Sequence, residues 1–376
     1  MKQFTTTHKL FLGKSQDLSK IPDSSVQLVV TSPPYPMIEM WDDIMSQQNP
    51  QINEALQDYN GNLAFELMHK ELDLVWNEVK RVLIPGGIAC VNIGDATRTL
   101  NGNFALYPNH ARILSYFISN GFVNLPNIIW RKQTNAPNKF MGSGMLPAGA
   151  YVTLEHEWIL IFRKGDKREF KTPEAKLKRR ESSFFWEERN IWFSDVWDNI
   201  KGTKQKMDKT DSRARSAAFP FEIPYRLINM YSLQGDTVLD PFMGTGTTSI
   251  AAIATGRNSI GYEIYKDLLD FCKENILSYS TDMINEGISI RLNRHKDFIT
   301  ERAIKSEIKH FNSNLQIPVM TSQEKDIEIS YVTNISLGKN ELIKAEYSKI
   351  MPVNHFCDNR HITQGRGCKL NCVSKE

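Results

Sequence analysis

The sequence predicts an α/β protein built on a doubly wound, mixed but mainly parallel sheet, with a small additional lobe. Two observations carry the prediction. The β-branched runs at residues 26–31 and 88–93 flank residues 65–82, where apolar side chains recur at helical spacing. The same strand–helix–strand order returns at residues 237–240, 248–254 and 259–263. Strands alternating with helices close into a parallel sheet, because the crossover helix must lie back on the sheet it leaves.

Taken in order, residues 26–31 run into Ser32-Pro33-Pro34-Tyr35, and proline there stops both strand pairing and helix. Pro85-Gly86-Gly87 breaks the helix before the strand at 88–93. Residues 127–130 form a further strand, 133–149 a polar loop, and 157–162 the neighbouring strand. Residues 164–180 carry Lys164, Lys167, Arg168, Lys171, Lys176, Lys178, Arg179 and Arg180 against three acids, and 201–215 form a second basic stretch; both are expected to face phosphate. The domain reading is therefore one catalytic unit over 1–280, with a basic insertion at about 164–215 as a candidate for target recognition, and a C-terminal lobe at 281–376 that includes the apolar run 327–332.

With 376 residues, 41% of them hydrophobic, the chain can bury a substantial core. A net charge of +3 means that any affinity for nucleic acid comes from clustering of basic residues rather than from bulk charge. No stretch has the apolar length of a signal peptide core or a bilayer span, so a cytoplasmic protein with no membrane contact is expected. Five cysteines in such a chain imply reduced thiols. Cys357, His361, Cys368 and Cys372 gather near the end, but their spacing matches no common zinc finger, so no metal is expected.

Asp240-Pro241-Phe242-Met243-Gly244-Thr245-Gly246-Thr247-Thr248 sits where a strand turns into a helix. Gly244 and Gly246 let backbone approach a ligand, the helix start offers unpaired N–H groups to a carboxylate, and Asp240 can meet an ammonium. That set suits the zwitterionic methionine end of a nucleoside cofactor better than a diphosphate. Glu263, 23 residues after Asp240 at the end of the next strand, stands near the spacing at which an acid meets ribose hydroxyls.

Ser32-Pro33-Pro34-Tyr35 suits an amine whose lone pair is delocalised into an aromatic ring. The Ser32 hydroxyl and the Pro33 carbonyl would accept from its N–H groups and draw the nitrogen toward tetrahedral geometry, while the prolines fix those acceptors in place. Tyr35 would stack on a base flipped out of a duplex. In isolation the segment reads more readily as a plain proline turn with a surface tyrosine, and only the second motif in the same chain favours the catalytic reading.

Both motifs in one chain, in this order, resemble the amino-methylating DNA methyltransferases of the β arrangement. The resemblance covers about residues 10–277 and extends to Asp23-Ser24-Ser25-Val26, Arg81 to Gly87, Val91-Asn92-Ile93-Gly94-Asp95 and His156-Glu157-Trp158-Ile159-Leu160. It extends also to Asp195-Val196-Trp197, and to Phe219-Pro220 through Arg226-Leu227-Ile228, which in the family close over the methionine moiety.

The resemblance implies a Rossmann-like fold with S-adenosyl-L-methionine as cofactor, bound by Asp240, Phe242, Gly244, Gly246, Thr247, Glu263, Phe219 and Pro220. It implies Ser32, Pro33, Pro34 and Tyr35 as the catalytic residues, double-stranded DNA as partner, and a companion restriction endonuclease acting on the same site. Where the family commonly has Gly-Asp, this chain has Gly13-Lys14, with Asp17 a substitute for that acid or else a solvated loop residue. Serine at the first motif position usually accompanies N4-cytosine methylation; N6-adenine is the alternative, and a non-catalytic DNA-binding regulator a remoter one. Methylation at C5 needs an attacking thiolate, normally from a Pro-Cys pair, and no cysteine here follows a proline.

Overall fold

The computed structural model describes residues 4–132, 141–202 and 219–349. Strands β1 (Phe4–Leu12) and β2 (Val26–Thr31) are followed by helices α1 (Asp42–Gln48), α2 (Pro50–Gln57) and α3 (Gly61–Val82), then β3 (Leu83–Ile93). A hairpin of β4 (Ala96–Leu100) and β5 (Asn103–Tyr107) leads to α4 (Asn109–Ser119), β6 (Phe122–Asn124) and β7 (Ile128–Arg131). The short pair β8 (Met141–Gly142) and β9 (Ala150–Tyr151) precedes β10 (His156–Lys164), α5 (Pro173–Glu181), α6 (Trp186–Trp192) and β11 (Val196–Trp197). The second half holds α7 (Glu222–Tyr231), β12 (Thr237–Asp240), α8 (Thr247–Ala254), β13 (Asn258–Glu263) and α9 (Lys266–Ser278). Helix α10 (Thr281–Lys305), the pair β14 (His310–Asn312) and β15 (Ile317–Val319), and strands β16 (Ser330–Leu337) and β17 (Ile343–Lys349) complete it. Among the described residues no helix is long and apolar enough to cross a membrane.

The main sheet runs β11-β7-β10-β3-β2-β12-β13-β1-β17-β16, with β6 also on β10. Its centre, β3 to β1, is parallel throughout, while β10 and β17 pair antiparallel at the flanks. The expected fold class holds: a doubly wound, mainly parallel sheet. Alternate residues of β2 explain why it reads as an unbroken apolar run. Val29 packs with α3 residues Trp76 and Val79 on one face. Leu28 and Val30 pack with Leu227, Ala251 and Ala252 of α7 and α8 on the other. The direction in which the chain winds across the sheet reverses between β2 and β12, which pair Val29 with Leu239, and such a switch point opens a crevice at the carboxyl ends of the strands.

Two expectations are corrected. Residues 281–349 do not form a lobe of their own: β17 pairs with β1 from Phe4↔Tyr347 to His8↔Ile343, and Ile284, Ile288, Ile343 and Tyr347 share a core with Ile250 and Cys272. The polar look of this part misled because its strands sit at the sheet's edge with one face toward water. Residues 164–180 lie at the opposite end of the strands from Ser32. Arg168 pairs with Asp236 at the start of β12 at 2.5 Å, and Lys164 donates to the Leu83 carbonyl at the start of β3 (2.6 Å). Those two charges therefore hold the sheet end together. Residues 133–140, most of the second basic stretch (its residues 203–215), and Cys357, His361, Cys368 and Cys372 lie outside the described residues.

Candidate active site

Asp240 ends β12 at the switch point and joins the two motif loops. One carboxylate oxygen accepts from the Thr31 hydroxyl at 2.7 Å and from the Phe242 N–H at 3.1 Å. The other accepts from the Thr248 hydroxyl at 2.7 Å. Thr31 immediately precedes Ser32, so the serine loop is tied to the glycine loop through a single buried carboxylate. Burial pushes Asp240 up to about 6 even though all three hydrogen bonds favour its ionised form. A cation brought beside it would reverse that shift.

The glycine loop is shaped by its backbone. Gly244 and Gly246 have φ of +53° and +83°, in the left-handed region. A Cβ on Gly246 would also meet the Cys272 sulfur at 2.5 Å. Gly246 caps α8, whose first-turn N–H groups have no partner within the helix. Glu263, at the end of β13, accepts from the Tyr265 N–H at 3.0 Å, and the Gly244 backbone hydrogen-bonds it too; burial raises its pKa.

Around these groups lies a cavity of about 500 Å³, within the range of small-molecule sites. Ser32, Pro34, Phe219, Asp240, Phe242, Gly244, Thr247 and Glu263 all line it. Pro33 is buried within its loop, Gly246 lies beneath as the helix cap, and Pro220 is buried at the entry to α7, accepting from the Ile223 N–H. Trp41, Ile44, Tyr262, Ile264 and Phe271 contribute walls that sequence reading did not single out. Lys14, in the place of the family's acid, also lines the cavity, whereas Asp17 does not. Asp17 is an exposed loop residue whose carboxylate accepts from the Ser19 N–H.

With two acids, a helix start, left-handed glycines and apolar walls, the cavity fits S-adenosyl-L-methionine. Its sulfonium and ammonium are cationic, its carboxylate anionic and its adenine flat and apolar.

Tyr35 stands beside the cavity, with Ser32 donating to its hydroxyl at 3.1 Å. That hydroxyl donates to Glu157 (2.9 Å), and Asn92 donates both to the tyrosine oxygen (2.8 Å) and to Glu157 (2.7 Å). Lys132 reaches the other oxygen of Glu157 at 2.8 Å. Loss of solvent, then the charge of Glu157, push the Tyr35 phenol well above its usual range. A Cβ on Gly94 would press on the Tyr35 ring at 3.0 Å, and the buried Asn109 donates to the carbonyls of Pro36 and Gly94, both at 3.0 Å. The loop is thus braced from β3, β10 and α4.

In the sequence Asn92, Gly94 and Glu157 stand out only as parts of segments that resemble the family's. The available signal was a polar residue inside each of two apolar strands. Other quoted segments prove structural. Arg81 pairs with Glu78 and Asp23 and donates to the carbonyls of Leu18 and Ile21. Arg226 lies over the Trp197 ring at 5.1 Å and donates to Asn199.

Residues 26–274, from β2 into α9, match the model of the N6/N4 methylases, described as DNA methylase, and the chain belongs to that family. Two relatives are Type II methyltransferases. M.MthZI of Methanothermobacter thermautotrophicus is 50% identical over 351 residues, covering 92% of this chain and 97% of that one. M.MjaI of Methanocaldococcus jannaschii is 50% identical over 302 residues, covering 75% and 98%. Among solved structures, a Thermus thermophilus protein, the putative DNA modification methylase TTHA0409 complexed with S-adenosyl-L-methionine, aligns with a TM-score of 0.56 at 33% identity, over 72% of this chain and 93% of that one. The chain is accordingly a Type II DNA methyltransferase of the restriction-modification kind, using S-adenosyl-L-methionine.

Proposed function

We propose that the enzyme methylates N4 of cytosine in a short duplex site and protects that site from a companion endonuclease. The observation that carries this reading is a serine, not an aspartate, at the cavity rim, joined through Thr31 and Asp240 to the glycine loop. S-adenosyl-L-methionine supplies an electrophilic methyl group when bound.

Asp240 holds the ammonium, the α8 N-terminus the carboxylate, and Glu263 the ribose hydroxyls. Gly244, Gly246, Thr247 and Phe242 shape the loop around the methionine end, and Phe219-Pro220 close over it. The target cytosine leaves the duplex and stacks on Tyr35. Ser32 Oγ and the Pro33 carbonyl accept from its amine and localise the nitrogen lone pair toward the methyl group. These contacts strengthen as the nitrogen becomes tetrahedral, so they act mainly on the transition state. Ser32→Ala should therefore slow single-turnover methylation by roughly ten- to a thousand-fold, with cofactor and DNA dissociation constants unchanged. A wild-type rate in that variant would refute the role of Ser32.

A further inference from the structure

The chain of bonds behind Ser32 has a direction, and Glu157 sets it. A carboxylate has no proton to give, and here it accepts from the Lys132 ammonium at 2.8 Å and from the Asn92 N–H at 2.7 Å. The Tyr35 proton must therefore point at Glu157, with 2.9 Å between the oxygens. The tyrosine oxygen can then only accept, and it does so from Asn92 at 2.8 Å and from Ser32 at 3.1 Å. Committed in this way, the Ser32 proton points away from the cavity, and the lone pairs of its oxygen are left for a substrate N–H.

We propose that Glu157 is a positioning residue that makes Ser32 an obligate acceptor and is the final station of the amine's proton. The inference rests on Ser32 receiving the amine, as above. Once the N–C bond has formed and the nitrogen is cationic, its proton passes to Ser32 Oγ. The serine's own proton moves to the Tyr35 oxygen, and the tyrosine's proton moves to Glu157. One N–H bond is broken, each hydroxyl again carries one proton, and the carboxylate ends neutral. No strong base is required, because a ring amine that has been alkylated is acidic. Loss of the proton from Glu157, which is close to Lys132 at the rim of the sheet, resets the chain.

Three variants test this against a merely structural role: Glu157→Gln, Tyr35→Phe and the double change. Glu157→Gln removes the terminal acceptor, whereas Tyr35→Phe cuts the chain in its middle and leaves Glu157 in place. Each is expected to slow single-turnover methylation by about ten- to a hundred-fold. Cofactor affinity by calorimetry, DNA affinity by anisotropy and flipping reported by 2-aminopurine fluorescence should stay within about twofold of wild type. The double variant should be no slower than the slower single, since both changes break one chain.

A wild-type rate for Glu157→Gln would overturn the proposal. So would a rate loss matched by lost affinity, or losses that multiply in the double variant. Nucleoside analysis of DNA treated with wild type keeps the two readings apart: N6-methyladenine would overturn the cytosine assignment but leave the relay intact, because the relay serves any exocyclic amine.

Discussion

Gly244 and Gly246 look alike in sequence and differ in structure. Both need a left-handed backbone, but a Cβ on Gly244 finds only the Phe242 carbonyl, at 4.0 Å, while one on Gly246 collides with Cys272 and crowds Ile276. Gly244→Ala should therefore cost about 1–2 kcal/mol of stability, from backbone strain alone. Gly246→Ala should cost about 2–4 kcal/mol, because overpacking adds to it. Denaturant melts compare the two directly, and equal losses would contradict this account of the loop.

Asp240 gives a pH dependence of definite sign. Its folded pKa of about 6 lies above the ordinary 3.8, so the folded state favours the protonated form. The stability this contributes, about 3 kcal/mol, is fully present below 3.8 and is lost as the pH rises through 6. Asp240→Asn should flatten that part of the stability profile. If Asp240 holds the cofactor's ammonium as proposed, cofactor affinity should run the other way and weaken below about pH 6, because that contact needs the ionised carboxylate; calorimetry at pH 5 and 7 checks it. At this scale the motif residues were legible because their types are unusual for a strand end. Asn92 and Glu157 were not, because they meet only when β3 and β10 pair antiparallel, Asn92 opposite Ile159.

Central strands and helices could be read from sequence because burial on both sheet faces leaves long apolar runs. Strand β1 could not, since its core positions include Thr6 and His8. Thr6 bonds His8 at 2.8 Å and the Tyr347 hydroxyl at 2.9 Å, and His8 bonds Ser259 at 2.8 Å, so these buried polar groups satisfy one another. Burial holds His8 down to about 3, hence neutral.

Charge runs mislead in a related way, because position and not composition decides what a lysine faces. Helix α5 stands at the sheet end away from the cavity, with Arg180 paired to Asp326. Lys201 follows β11 at the near end, where the Ile200 carbonyl receives the Trp130 indole. Neutralising Lys176, Lys178 and Arg179 together should leave the salt dependence of DNA binding unchanged. Lys201→Gln should lower its slope by about one unit. The reverse result would put the DNA on the other edge.

Across the whole molecule, the sheet's order explains how two motifs about two hundred residues apart form one site: β2 and β12 are neighbours at the switch point, so their loops share a cavity. The C-terminal strands belong to the same sheet and cover Thr6 and the Ile250 face of α8. Removing residues 281–376 should therefore yield insoluble or unfolded protein rather than a shortened enzyme; a soluble truncation that melts like the full chain would contradict this. The central claim, that this cavity and its serine loop deliver a methyl group to the exocyclic amine of cytosine, is most directly tested by treating duplex DNA with the full chain and S-adenosyl-L-methionine, digesting to nucleosides and identifying the product by mass spectrometry. N4-methylcytosine, lost with Ser32→Ala, is the expected result; N6-methyladenine, or no modified base at all, would contradict it.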